Sequence, residues 1–104
     1  MRAITTVWRP LPTRRTFERR STWVQAALHF DGRTQSIVVR DVSRGGMKIE
    51  FAYGLSPGDQ VSIELMSGRV LKATVAWSVA AYCGVEFPSP LNEDDPVLET
   101  CKRH

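Results

Sequence analysis

Thiols and imidazoles are scarce in this chain: Cys83 and Cys101 are the two cysteines, and His29 and His104 the two histidines. The cysteines lie too far apart in sequence for a CxxC redox or metal site, and of the two histidines one is flanked by strand residues and the other, three residues past Cys101, is terminal, so the ligand set of a zinc centre and the ordered base of a cysteine nucleophile are both missing. Cys83 alternates with Val85 and Phe87 and reads as a small core residue, whereas Cys101 sits in a charged terminal stretch and reads as exposed. Nothing requires a disulfide. His29 reads as an ordinary, partly exposed strand residue. No pair of acids is marked out by spacing, so no enzyme, resident cofactor or metal is expected. The longest apolar runs fall well short of the ~20 residues that cross a bilayer, and Met1-Arg2 leads into no apolar signal segment. A cytoplasmic protein without membrane insertion is the expectation.

What is present is an uneven charge. Lys and Arg number 14 against 11 Asp and Glu, giving +3 over 104 residues, a length that suits one domain. Arginines stand at positions 2, 9, 14, 15, 19 and 20, opposed there only by Glu18, while residues 91–99 carry Glu93, Asp94, Asp95 and Glu99 with no base. A basic leader attracts phosphate by Coulomb steering, and as a solvated tail it also serves solubility. Pro10 and Pro12 hold the chain around Leu11 to extended or turn conformations, so 1–22 reads as an arm.

From there the pattern is β. Val24, Ala26, Leu28 and Phe30 share one face, and Asp31-Gly32 supplies a turn. A run over 36–40 ends at a polar motif. Met47, Ile49 and Phe51 then resume a period of two, with Lys48 and Glu50 facing the other way. Val61, Ile63 and Leu65 come after the Pro57-Gly58-Asp59 turn, and Leu71, Ala73, Val75 and Trp77 after Ser67-Gly68, with Trp77 read as core. A short strand over 84–87 stops at Pro88 and Pro90. Asn92 then caps a brief helical turn with Glu93 and Asp94 at its first positions. Five to six short antiparallel strands must close their apolar face, and a small barrel over 23–90, with a C-terminal segment over 91–104 after it, does so without leaving sheet edges.

Two polar clusters carry the functional expectation. Arg15 and Arg19, an RxxxR pair flanked by Arg14 and Arg20 as auxiliary charge, offer planar forks that grip phosphate or guanine edges and lie flat on bases. Asp41-Val42-Ser43-Arg44-Gly45-Gly46 sits at a strand end, where the carboxylate can accept from the ring N–H and exocyclic amine of a guanine. Ser43 adds a short donor and acceptor, and the glycines allow close approach. The same residues also suit Asx and ST turns closed by Gly-Gly.

The order RxxxR (Arg15 to Arg19) then DxSxxG (Asp41 to Gly46), with Val75-Ala76-Trp77 and Gly84-Val85-Glu86-Phe87 later, resembles the PilZ domain family over roughly residues 13–90. The resemblance implies an all-β, six-stranded antiparallel barrel with a flexible basic N-terminal arm and a short C-terminal helical turn. It implies the bacterial second messenger cyclic di-GMP as ligand, bound by Arg15, Arg19, Asp41, Ser43 and Gly46, with Arg14, Arg20 and Arg44 as supporting charge. The implied role is a receptor that converts binding into arm ordering and altered docking on a protein partner of the motility, pilus or exopolysaccharide machinery. Two other readings compete. Trp8, Phe17, Trp23, Trp77 and Tyr82 beside a basic arm suit a barrel that stacks single-stranded nucleic acid, with alternation favouring the core for Trp77, and a nucleotide-independent interaction domain would leave the motifs silent.

Overall fold

The computed structural model describes residues 19–99. Six antiparallel strands close into a barrel: β1 (Arg20–Phe30), β2 (Arg33–Val42), β3 (Gly46–Glu50), β4 (Gln60–Leu65), β5 (Val70–Val79) and β6 (Tyr82–Glu86), joined in the order β1-β2-β3-β6-β5-β4 and back to β1. A short helix, α1 (Pro96–Glu99), comes last. The expected all-β barrel with a C-terminal helical turn is what the chain forms. Alternation does most of the building, because successive side chains on a strand point to opposite faces. Leu28, Ile37, Ile49, Ile63, Val75 and Cys83, one from each strand, point inward and are fully buried.

Tight turns close the hairpins. Asp31 and Gly32 both take positive φ between β1 and β2, the backbone of a two-residue hairpin loop. Gly58 also takes positive φ before β4, where its N–H donates to the Val75 carbonyl at 2.8 Å.

The barrel departs from strict alternation at three places, and all three border one patch of its outer surface. Register shifts fall in β1 between Ser21 and Val24, in β2 between Val39 and Asp41, and in β5 between Val75 and Trp77. Each extra residue turns the side chains beyond it to the opposite face. In β2 the shift keeps Val39 and Val42 both inside while Asp41 faces out. Strand β2 therefore runs through Asp41 and Val42 to the middle of the polar motif, beyond the expected end at Arg40. In β5 it carries Trp77 out of the core set, so the expectation of a core Trp77 is overturned: the indole is only half-buried and lies over Gly84 on the outer face.

Two further expectations are corrected. Phe51 adopts φ 69° one residue past β3 and is exposed instead of continuing the inward row of Met47 and Ile49. The helix cap is Asp95, not Asn92. Its carboxylate accepts the Val97 N–H at 3.0 Å, and Pro96, lacking an N–H to satisfy, occupies the first helical position. Val97 and Leu98 then pack into the barrel core.

Candidate functional site

The outer-surface patch ringed by the register shifts is a single cross-strand row. Reading across from β1, Ser21 faces Asp41, Asp41 faces Lys48, Lys48 faces Gly84 and Gly84 faces Trp77. These residues stand side by side at the spacing at which cross-strand neighbours touch. A cleft lies along most of the row, lined by Asp41, Lys48, Gly84 and Trp77, with Arg19 at one end and the Ser43 to Gly46 loop at its side.

Asp41 is the hub. Its carboxylate accepts from Arg19 Nη2 at 3.3 Å and from Ser21 Oγ at 3.4 Å, and Lys48 Nζ stands 3.9 Å from Oδ2. Arg19, half-exposed immediately before β1, thus reaches the motif loop from the other side of the first hairpin. The two clusters singled out in the sequence meet here, through one arginine of the pair. Arg14 and Arg15 lie outside the described residues, as do Trp8 and Phe17.

The loop is built on its own hydrogen bonds. The Ser43 N–H donates to the Gly46 carbonyl at 2.9 Å, and Ser43 Oγ accepts the Gly45 N–H at 3.1 Å, so the buried hydroxyl shapes the turn in the ST manner. Gly46 has a stricter reason. A Cβ built there would stand 2.1 Å from the Val85 carbonyl oxygen, inside the β3–β6 pairing. Gly84 is equally constrained: its Cβ would fall 2.2 Å from Trp77 Nε1, so the indole can lie flat on the strand only because that side chain is absent.

The remaining arginines are placed elsewhere. Arg20 belongs to β1 and donates to the Leu98 carbonyl at 3.4 Å. Arg44 turns from the cleft to the C-terminal segment, where its Nε donates to the Leu91 carbonyl at 2.6 Å while the Leu91 N–H donates to the Arg44 carbonyl at 2.8 Å. Neither lines the cleft.

Lys48, Gly84 and Trp77 are not among the expected site residues. Lys48 has a readable signal, since it alternates outward between Met47 and Ile49 just past the motif. Trp77 has none, because a single extra residue in β5 reverses its face. Beside the row, the Arg40 guanidinium stacks 4.5 Å from the centroid of the exposed Trp23 ring, and Lys48 Nζ lies 5.3 Å from that of Tyr82. His29 has ordinary partners, Thr34 Oγ1 and Glu64 Oε1, each at 2.8 Å.

The arrangement suits a planar, anionic, hydrogen-bonding ligand: acceptor and cations side by side, an indole wall, and backbone brought close by two glycines. A comparison with curated proteins finds no match. The family model of the PilZ domain matches residues 13–103, nearly the whole chain and both motifs within it, and the chain belongs to that family.

Proposed function

We propose that this protein is a cyclic di-GMP receptor. Family membership points in general to a cyclic di-GMP-binding or adaptor role. The observation that carries the finer reading is the Arg19–Asp41 contact, which joins the RxxxR and DxSxxG motifs over one cleft. In the proposed complex Arg19 leaves Asp41 for a phosphate or a guanine face. Asp41 then accepts from the guanine ring N–H and exocyclic amine, and Ser43 and Gly46 hold the loop close to the base. Arg15, one RxxxR step earlier, closes from the leader, and Trp77 walls the far end of the row. Capture of a dianion by arginines of the leader changes the surface presented to a protein partner, which is how a module of this kind would act as a switch.

Calorimetry with cyclic di-GMP tests the reading. The wild-type chain should bind, and Arg19→Ala or Arg15→Ala should each remove about 1.5 to 3 kcal/mol, the scale of a hydrogen bond to a charged group. The barrel should remain folded by circular dichroism. Unaltered affinity in both variants, or tight, sequence-tolerant binding of single-stranded oligonucleotides in place of the cyclic dinucleotide, would overturn it. Amide shifts in a nuclear magnetic resonance titration should move together in 13–20 and 41–46.

A further inference from the structure

Asp41 alone reads only part of a guanine. The Watson–Crick edge presents two donors, the ring N1–H and the exocyclic amine, next to one acceptor, O6. A carboxylate satisfies the donors and repels the acceptor. A lone carboxylate would also accept the exocyclic amine of adenine, so guanine selectivity calls for a donor beside it, at the position O6 occupies.

The structure holds such a donor. Lys48 faces Asp41 directly in the β2–β3 register, its Nζ stands 3.9 Å from Asp41 Oδ2, and it lines the same cleft. Its other neighbour across the sheet is Gly84, over which the Trp77 indole lies, so Lys48 stands between the carboxylate and the ring wall of the cleft. The flank is the Tyr82 ring, 5.3 Å from Nζ, which steadies the ammonium without neutralising it. The side chain is about a third exposed, so its head can move the short distance from carboxylate to ligand. Of the other cations near the row, Arg19 is assigned to a phosphate or a guanine face, and Arg40 is committed to Glu50 and to the Trp23 ring.

We propose that Lys48 is the residue that selects guanine, donating from Nζ to O6 while Asp41 accepts from N1–H and the exocyclic amine. The inference rests on the cyclic di-GMP reading and adds to it the base-reading donor. With adenine in the same pose, Lys48 would meet the N6 amine, donor against donor, and Asp41 would meet the unprotonated N1, acceptor against acceptor. Mismatches of that kind give specificity by repulsion.

The test is a chemical-shift titration, which reads millimolar as well as micromolar affinity, of wild type and Lys48→Met with cyclic di-GMP and with cyclic di-AMP. Methionine keeps the length and apolar stem but removes the donor. The expected result is a loss of about tenfold or more in cyclic di-GMP affinity, the scale of a charged hydrogen bond, with cyclic di-AMP affinity unchanged or raised because the donor-against-donor clash is gone. The guanine-to-adenine preference should therefore shrink by at least that factor. An equal loss for both ligands would mean that Lys48 supplies only charge toward phosphate, and no loss would mean that it does not touch the base; either overturns the proposal. Failure of the wild-type chain to bind cyclic di-GMP would overturn the receptor reading itself and this inference with it, and is told apart by the wild-type titration alone.

Discussion

Two glycines that face different obstacles separate the roles of backbone and side chain at the site. At Gly46 the obstacle is the Val85 carbonyl oxygen and the Glu86 Cα, both backbone of a paired strand that cannot withdraw without breaking the β3–β6 ladder. Gly46→Ala should therefore destabilise the barrel by about 2 kcal/mol, the scale of overpacking a tight site, and should loosen the motif loop. At Gly84 the obstacle is the Trp77 ring, which can rotate away. Gly84→Ala should cost less stability than Gly46→Ala, yet move the Trp77 indole resonance and, on the receptor proposal, weaken cyclic di-GMP binding. Denaturant melts paired with indole N–H spectra check both. A larger loss of stability at Gly84 than at Gly46 would contradict the reading that backbone, not side chain, is the rigid partner.

At the scale of the element, the C-terminal segment is held by a cap that also forms an ion pair. Asp95 is buried, caps α1 through the Val97 N–H, and accepts both terminal guanidinium nitrogens of Arg69, with Nη2 at 2.8 Å from Oδ2. The Arg69 hydrogen bonds hold its carboxyl below the ordinary carboxylate range, aided by Val97 and opposed by burial. A carboxyl depressed in the folded state contributes stability that is complete above its unfolded value near about 4 and is lost as pH falls through the folded value. Asp95→Ala should cost about 2 kcal/mol at neutral pH, from the lost cap and the lost charged hydrogen bonds together. It should also flatten the acid limb of the stability profile below about pH 4, as thermal melts between about pH 2 and 7 would show. This element also shows where sequence reading fails. A helical turn is legible after Pro90, but the pattern puts its cap at Asn92, because choosing among Asn92, Asp94 and Asp95 depends on where Arg69 lies. The strands themselves are legible, since half-buried sheets write their alternation directly into the chain. Trp77 and Phe51 escape the reading because a bulge or a left-handed residue resets the period at those points. Asp41, Ser43 and Gly46 are legible as a candidate site because their residue types carry the chemistry; Lys48 joins the candidates only once register places it beside Asp41.

Closure of the barrel makes one buried thiol a reporter on the whole molecule. Cys83 lies on β6 with no exposed surface, and its thiol is pushed up to about 11, first by burial and then by the charge of Asp59. The thiolate is the reactive form, so at about pH 8 roughly one Cys83 in a thousand would be ionised even before access is considered. In a closed sheet with no edge strand to peel away, access requires the ladders on both sides of β6, to β3 and to β5, to part. Cys83 should therefore resist a thiol-directed reagent in native buffer and become labelled only along the global unfolding transition, which makes its protection a measure of barrel stability. The experiment uses Cys101→Ser, so that a single thiol is counted, and tracks labelling against denaturant beside circular dichroism. Coincident midpoints would show one cooperative unit. Labelling well before the dichroic transition would show that β6, the strand carrying Gly84 and pairing with Lys48, opens locally. The candidate row would then sit on a strand able to part from its neighbours, and on the receptor proposal added cyclic di-GMP should slow the labelling in proportion to its occupancy.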